Sequence, residues 1–297
     1  MGYGELRQVG EATWVLPGAV NLGLCLTGEK GDRAVLIDSG NDKDAGRQVF
    51  KLLSEQEISL DLIINTHGNA DHIGGNAYLQ KKSGCRIAAT EVEAPFIRSP
   101  VLEPAFLFGG FPYPKIRNKF LEAAPSEVTD IIEQDGTVLD TPLEAFPLPG
   151  HYFGMIGVRT PDNVVFLADS LFSETIIRKY HLFYIYDIAG YLSTLSTLDT
   201  LEADWYVPSH APPSRDITNL IHINREMVLE ICDVVAAACT PPARFDSILE
   251  RVCARYSILL DANQYVLVSS TIRSYLSYLA YEGRVETEWE KGAMIWK

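Results

Sequence analysis

The sequence predicts a mixed α/β domain followed by a smaller helical region. Apolar segments of strand length alternate with helix-length segments through the first 222 residues, which is typical of sheets covered by helices. Beyond residue 222 the remaining segments have mainly helical spacing. Polar residues follow several of the strand-like segments at points where one sheet edge could gather them. We therefore predict two domains, residues 1–222 and residues 223–297.

The first domain contains nearly all of the predicted strands. Strand-like segments occur at residues 12–16, 20–27, 34–37, 60–65, 86–90, 143–148, 156–160, 164–168 and 205–208. Helical spacing occurs at residues 44–55, 77–83 and 189–201. Residues 95–125 interrupt this alternation with prolines, paired glycines and aromatic residues. Such a segment is typical of a lid or binding loop, and equally of an insertion that packs on its own domain or on a second subunit.

The second domain is predicted to hold three helices and a hairpin. The helices are expected at residues 224–238, 244–256 and 267–281, and the hairpin at residues 285–296. This order is typical of a winged-helix module. A helix that reads nucleic acid carries Lys and Arg to meet phosphates, whereas the last of these helices offers Arg273 alone. We therefore expect the module to pack, to dimerise or to shape the active-site entrance.

Composition indicates a soluble globular protein, since 47% of the residues are hydrophobic and 22% are charged. The net charge of −14 repels polyanions, so nucleic acid is a disfavoured partner. No signal-peptide pattern opens the chain and no apolar run approaches the roughly 20 residues that cross a bilayer, so we expect no membrane association. Five scattered cysteines, an odd number, predict a reducing, cytoplasmic setting.

The candidate chemistry begins in the stretch from Thr66 to Asn76, which directly follows the predicted strand at residues 60–65. This stretch and three later strand ends together supply imidazoles and carboxylates from His67, Asp71, His72, His151, Asp169 and His210. Such groups hold zinc, iron or manganese while leaving a position open for water. The other two histidines, His181 and His222, have no such placement, and we expect structural or surface roles for them.

These residues resemble the motifs of the metallo-β-lactamase superfamily of hydrolases. The H-x-H-x-D-H motif corresponds to residues 67–72, with Asn69 at the second histidine position. The later motifs correspond to residues 149–151, 168–170 and 209–210, and the earliest to residues 36–40, in the family's order. The resemblance implies a four-layer αβ/βα sandwich, an α+β fold, followed by a small helical winged-helix-like domain. It also implies that Asp38 supports the metal loop without binding metal.

The resemblance implies a centre of two metals. The first would be held by His67, residue 69 and His151, the second by Asp71, His72 and His210, and Asp169 would bridge them. Asn69 departs from the family pattern, because a carboxamide oxygen is a weaker ligand than an imidazole nitrogen. Three interpretations stay open. In the first, the first metal still binds, and Asn69 is a poor fourth ligand or a hydrogen-bond donor to bound water. In the second, only the second metal position is occupied. In the third, the protein has lost catalysis and kept binding.

The implied activity is hydrolysis by a metal-activated water. Asp71 would orient that water and pass its proton to the leaving group. The implied cofactor is one or two divalent ions, with zinc first and iron or manganese as alternatives. The expected substrate is a small ester, thioester or lactone, because residues 95–125 and the aromatic residues 180–186 could wall an apolar pocket. An aromatic stretch of this kind is more often a packed core or the face of a homodimer.

The order of the two domains also resembles the β-lactamase-like protein 2 group, whose relatives include a single-stranded RNA endonuclease. A nuclease is therefore the first alternative function, since aromatic side chains can stack unpaired bases. A non-catalytic metal-binding or ligand-binding protein is the second alternative, because of Asn69.

Overall fold

The computed structural model describes residues 3–28 and 30–297, and its centre is a pair of facing β-sheets. The first sheet has seven strands in sequence order, antiparallel from the first to the fourth strand and parallel from there on. They are β1 (Arg7–Gln8), β2 (Thr13–Leu16), β3 (Leu22–Thr27), β4 (Arg33–Ile37), β5 (Ser59–Ile64), β6 (Arg86–Thr90) and β7 (Asp130–Ile132).

The second sheet has five strands. They are β8 (Gly136–Thr137), β9 (Glu144–Pro147), β10 (Ile156–Arg159), β11 (Val164–Phe166) and β12 (Trp205–Val207). The sheet order is β12-β11-β10-β9-β8, with β11 and β12 parallel and the other neighbours antiparallel. The predicted strands at residues 12–16 through 205–208 are all present, with ends that shift by at most two residues.

Ten helices accompany the two sheets in the described residues. They are α1 (Lys43–Glu55), α2 (Ala70–Ile73), α3 (Asn76–Ser83), α4 (Ala94–Arg98), α5 (Leu102–Phe108), α6 (Glu174–Tyr180), α7 (Ile188–Leu198), α8 (Thr218–Ala238), α9 (Phe245–Tyr256) and α10 (Ala262–Tyr281). Short 3-10 turns lie at Pro114–Ile116 and Ala168–Ser170.

Side chains alternate across the first sheet and thereby build two different cores. Val35 and Leu62 face the second sheet, where Val158 and Val164 meet them in a buried inter-sheet cluster. The intervening residues face the opposite way, toward Val49 and Leu53 of α1 and Leu79 of α3. Since both strand faces are covered, the strands are apolar almost throughout, as expected for parallel strands. Gly23 permits the sheets to approach, because a Cβ there would lie 2.5 Å from the Phe166 ring.

The outer face of the second sheet packs against α7 to α10. Val165 and Leu167 share one buried cluster with Tyr191 of α7, Val228 of α8 and Ile272 of α10. Helix layers therefore lie outside both sheets. The predicted four-layer αβ/βα sandwich is confirmed.

The C-terminal region follows the predicted order of three helices and a hairpin, formed by β13 (Thr287–Glu290) and β14 (Ala293–Trp296). The winged-helix interpretation stays a prediction. The predicted start of the first helix at residue 224 was wrong, because α8 begins at Thr218, where the Asp216 carboxylate accepts the Thr218 backbone N–H and Ile221 is buried. The predicted boundary between residues 222 and 223 thus falls inside α8.

Residues 95–125 hold α4, α5 and a 3-10 turn, and pack on the end of the chain. Leu107, Ile116 and Leu121 form a small buried cluster with Val266 of α10. Within residues 3–28 and 30–297, no helix is both long and apolar enough to cross a membrane.

Candidate metal centre

The loop after β5 carries the first candidate ligands and is held from behind by Asp38. The Asp38 carboxylate, which follows β4, accepts the Thr66 backbone N–H at 2.9 Å and the Thr66 hydroxyl at 2.7 Å. Its Oδ2 also accepts from Nδ1 of His72 at 2.8 Å. Because Nδ1 carries the proton, His72 presents the lone pair of Nε2 toward the centre.

The later candidate ligands come from the ends of three elements of the second sheet. His151 follows β9, Asp169 lies in the 3-10 turn after β11, and His210 follows β12. Gly150 is required beside His151, because its φ is +126° and a Cβ there would lie 2.3 Å from the backbone nitrogen of Tyr191. The sheets thus deliver ligands from both sides to one edge of the sandwich.

Contacts of the Nδ1 atoms with neighbouring oxygens fix the orientation of the remaining imidazoles. Nδ1 of His151 donates to the Tyr184 carbonyl at 2.9 Å, and Nδ1 of His210 donates to the Ala19 carbonyl at 3.1 Å. Nδ1 of His67 lies 3.1 Å from the Thr66 hydroxyl. In each ring Nε2 is therefore the nitrogen left for the centre, as is usual for histidines whose other nitrogen is hydrogen-bonded.

Distances between the ligand atoms match those between neighbouring ligands of one metal ion. Two donors about 2.0–2.2 Å from a metal lie roughly 3–3.5 Å apart. Asp169 Oδ1 lies 3.1 Å from His72 Nε2, and Asp169 Oδ2 lies 3.1 Å from His210 Nε2 and 3.5 Å from His151 Nε2. Asp71 Oδ2 lies 3.5 Å from His210 Nε2.

Ligand atoms within 4.8 Å of one another fall into two groups. One contains His67, His72 and Asp169, and the other contains Asp71, His72 and His210. Among the described residues, His67 Nε2, His72 Nε2 and Asp169 Oδ1 are buried without any hydrogen-bond partner. Buried polar atoms without partners are costly, and these three converge. This donor set fits a divalent cation.

The charges of the centre also favour a cation. Burial raises the pKa of Asp169, but His210, His72 and His151 outweigh it and hold that pKa well below the usual range. The pKa of Asp71 is lowered in the same way, through His72 and His210. Burial pulls the pKa of His67 well below its usual value, so this imidazole is neutral. Burial lowers the pKa values of His72 and His210, but Asp169 and the other carboxylates outweigh it, raising the pKa of His72 well above its usual value and that of His210 to about 10. A metal ion that binds here would therefore displace protons from these two imidazoles.

Asn69 lies between His151 and a glutamate that sequence reasoning missed. Its Oδ1 is 3.0 Å from His151 Nε2, and its Nδ2 donates to Glu103 Oε1 at 2.9 Å. Glu103 Oε2 also accepts the Ala70 backbone N–H at 3.0 Å. Burial and then Asp71 raise the pKa of Glu103 well above its usual range, while its two N–H donors oppose them. Because Asn69 lies beside His151, all seven predicted ligands lie together around one centre.

Two further supporting residues were also missed. Glu93 is fully buried and accepts the backbone N–H of Gly68 at 2.8 Å and of Gly154 at 2.6 Å, so it joins the loops that carry His67 and His151. Asn21 donates to the carbonyls of Pro208 and Ala211 and so holds the loop of His210. Glu93 follows strand β6, the same signal by which Asp169 was found.

The two histidines expected outside the centre lie outside it. His181 ends α6 and stacks on Tyr256, with ring centroids 5.0 Å apart. His222 lies on the exposed face of α8, where its Nε2 is 3.2 Å from Glu226.

Aromatic side chains separate the candidate ligands from a large groove. Phe153, two residues after His151, packs on Phe106 of α5 at 4.9 Å and on Tyr186 at 4.3 Å between ring centroids. Beyond this wall lies a cavity of about 820 Å³ between α5, the start of α7 and α10, where Tyr278 and Arg273 line it.

Comparison with known proteins places this geometry in context. Two curated relatives are the hydroxyacylglutathione hydrolase GloC of Haemophilus influenzae, 28% identical over 49% of this chain, and a hydroxyacylglutathione hydrolase of Nitrobacter hamburgensis, 30% identical over 52%. The matched segments cover 64% and 52% of these relatives, so the chain spans less than two thirds of either.

Solved structures extend the similarity of fold to the C-terminal helices. A β-lactamase domain protein from Burkholderia ambifaria has a TM-score of 0.74 at 18% identity and covers 98% of this chain and 93% of its own. A metallo-β-lactamase family protein from Thermus thermophilus has a TM-score of 0.74 at 19% identity, with 96% and 98% covered. The family model of the metallo-beta-lactamase superfamily matches residues 22–210. This chain therefore belongs to the metallo-beta-lactamase superfamily.

Proposed function

We propose that this protein is a metal-dependent hydrolase of small thioesters, with esters and lactones as related substrates. The observation that carries the proposal is the convergence of buried, partnerless Nε2 and carboxylate atoms at one edge of the sandwich. The relatives named hydroxyacylglutathione hydrolase support a thioester, because an acyl group on glutathione is bound through sulfur. Zinc is the proposed metal, since its ligands are imidazoles and carboxylates.

We propose two metal positions with a shared carboxylate. His67, Asn69 and His151 would hold one ion, Asp71, His72 and His210 the other, and Asp169 both. A bound divalent metal supplies water whose pKa falls to about 7 and polarises the carbonyl under attack. The protein's own contribution is to hold the Nε2 lone pairs and the carboxylates in fixed positions before substrate arrives.

Asp71 is the proposed acid–base residue. Its carboxylate is 39% exposed, whereas that of Asp169 is 5% exposed, so Asp71 has access to a bound substrate. His210 lies 3.5 Å from one of its oxygens and His72 lies 4.0 Å from the other. These contacts orient the carboxylate to accept a proton from the attacking water and to deliver it to the leaving sulfur or oxygen.

The aromatic wall and the groove beyond it are the proposed site for the apolar part of the substrate, which would have to pass Phe153 to place its carbonyl group at the candidate ligands. The lining of the groove combines Phe106, Phe108 and Tyr186 with serines of α10, and its volume of about 820 Å³ suits a small molecule. Arg273 also lines the groove. Its guanidinium carbon lies 3.7 Å from the centroid of the Phe245 ring, so the guanidinium group stacks on that ring.

The packing of α10 opposes the nuclease alternative. Ile272, Tyr275 and Leu276 of this helix are fully buried, and Arg273 donates to the Ser269 carbonyl within the same helix. A helix packed in this way offers few groups to a nucleic-acid backbone, and the net charge of −14 opposes such contacts further.

A substrate panel tests the proposal. Purified protein is assayed with short and long acyl thioesters, a lactone, a β-lactam, a phosphodiester and single-stranded RNA, with and without chelator. The proposal predicts thioester turnover that chelator abolishes and zinc restores, with kcat/KM rising as the acyl chain lengthens. Metal-dependent cleavage of RNA alone would establish the nuclease alternative, and metal binding without any turnover would establish the non-catalytic one.

A further inference from the structure

Glu103 is a buried acid in an unusual setting. It lies on α5, in the segment between β6 and β7, yet it is only 4% exposed beside the loop of the candidate ligands. Within the part of the chain that the structure describes, Lys and Arg residues form no ion pair with it; Asn69 and the Ala70 backbone are its hydrogen-bond partners. Burying a carboxyl group without a cation is costly, which indicates that its contacts serve the site.

The contacts of Glu103 determine which way the Asn69 amide points. The Ala70 N–H donates to one carboxylate oxygen of Glu103. The other oxygen, 2.9 Å from Asn69, can only accept when Glu103 is ionised, the form that both N–H donors and a bound divalent ion favour. The amide therefore turns its NH₂ group toward Glu103. Its Oδ1 is then directed the opposite way, to His151 Nε2 at 3.0 Å.

The contact between Asn69 and His151 joins two acceptors. The Tyr184 carbonyl can only accept, so His151 places its proton on Nδ1 and presents a lone pair at Nε2. Two lone pairs that meet at 3.0 Å repel each other unless a cation binds both. The separation is also that of two neighbouring ligands on one metal ion.

We propose that Glu103 is a positioning residue that fixes the Asn69 amide oxygen as a ligand of the first metal. The inference rests on the proposed metal-dependent function and explains how an asparagine serves where related proteins use a histidine. Glu103 touches neither metal nor substrate. It acts by preventing the Asn69 amide from rotating into its other orientation.

The variant Glu103→Gln separates this role from simple anchoring of α5. The glutamine carbonyl would still accept the Ala70 N–H, so the anchor is retained. Its NH₂ group would then face Asn69, whose amide must turn over to avoid two meeting donors. The rotated amide would present NH₂ to the first metal, and the oxygen ligand would be lost.

Two further variants provide the controls. Glu122→Gln makes the same substitution in the same segment, at a glutamate that pairs with Arg117 and, within the described residues, forms no hydrogen bond with a candidate ligand. Asn69→Ala removes the amide itself, so a positioning residue has nothing left to orient. Adding Glu103→Gln to Asn69→Ala should therefore produce no additional loss of metal affinity.

The experiment titrates metal-free protein with Co²⁺ and follows the visible absorption bands together with equilibrium stoichiometry. We expect two Co²⁺ ions per wild-type chain. In Glu103→Gln the weaker ion should bind about 10–100-fold less tightly, with altered bands for that ion, while the tighter ion is unchanged. Glu122→Gln should retain both ions, and the double variant should match Asn69→Ala.

Three results would overturn the inference. The first is wild-type binding of the second Co²⁺ by Glu103→Gln, which is also the result expected if Glu103 carries a proton. The second is an equal loss of affinity in Glu122→Gln, and the third is an additional loss in the double variant. A wild-type chain that binds two Co²⁺ ions but hydrolyses no substrate would refute the proposed function and leave the inference intact, whereas a wild-type chain that binds no Co²⁺ would refute both.

Discussion

The two halves of the candidate metal centre use ligands of different charge. The aspartate half consists of Asp71, His72 and His210, and the asparagine half consists of His67, Asn69 and His151. Asp169 lies between them, 3.1 Å from His72 and His210 and 3.5 Å from His151. The aspartate half has its own carboxylate, whereas every residue belonging to the asparagine half alone is neutral.

Supporting acids are distributed in a way that compensates for this difference. Asp38 supports His72, whereas two buried glutamates stand behind the asparagine half, Glu103 against Asn69 and Glu93 between the loops of His67 and His151. A weak ligand is useful only if it is held in one orientation. In the proposed two-metal arrangement, this chain would replace ligand strength by rigid support.

The largest expected effect comes from the carboxylate that both halves share. Asp169→Asn removes a negative charge from both metal positions, so we expect both ions to be lost and kcat/KM to fall by at least about a thousandfold. Metal content and thioester kinetics measure this. Asp199→Asn, which alters a surface carboxylate paired with Arg225, should leave both unchanged. Retention of either ion at wild-type affinity in Asp169→Asn would show that the two halves do not depend on one carboxylate.

Asp71 tests the aspartate half alone. Asp71→Asn keeps the shape of the side chain and removes the group that accepts the proton, so kcat should fall by about 10²–10⁴-fold. Metal affinity should weaken at this half and stay unchanged at the asparagine half. Steady-state kinetics with saturating metal separate the two effects. A wild-type kcat at saturating metal would refute the acid–base role.

Asn69→His tests whether the asparagine half is weak because of its ligand. An imidazole nitrogen is a stronger ligand for zinc than an amide oxygen, so the first metal should bind at least about tenfold more tightly. Competition with a chromophoric chelator measures this affinity. An unchanged affinity would contradict our explanation of the asparagine.

The smallest expected effect is that of Glu93→Gln on the stability of the metal-free protein. Burial raises the pKa of Glu93 from 4.5 to about 7, against its two N–H donors. The folded state therefore binds a proton more tightly than the unfolded state, and the stability contributed by this group is lost as pH rises from about 4.5 through 7. Urea unfolding of wild type and Glu93→Gln should differ in this interval, by no more than about 3 kcal/mol across it. Parallel pH profiles of the two proteins would refute the assignment.

Sequence reasoning succeeded where a local pattern determines the structure. Buried strands are recognisable from their apolar runs. The ligands that follow them meet at one edge of the sandwich, although they come from both sheets and not from one sheet edge as predicted. His67, His151 and Asp169 were predicted in this way, and the family resemblance added Asn69 and Asp38.

The missed residues depend on contacts that no local pattern records. Glu103 is 34 residues from Asn69, and its role depends on how α5 folds back over the loop. The prediction for residues 95–125 rested on their aromatic residues, whereas Glu103 is the residue of this segment that forms a hydrogen bond with Asn69. Helix α8 likewise begins six residues before its prediction, because the Asp216 carboxylate accepts the Thr218 backbone N–H and Ile221 faces the core.

Anomalous diffraction from crystals of the zinc-loaded protein, measured on both sides of the zinc absorption edge, is the most direct test of the two-metal centre. We predict two zinc peaks that share Asp169, one beside His210 and Asp71 and one beside His151 and the oxygen of Asn69. The second peak should lose occupancy first as free zinc is lowered. A single peak at saturating zinc, or a second ion that does not contact Asn69, would contradict this arrangement.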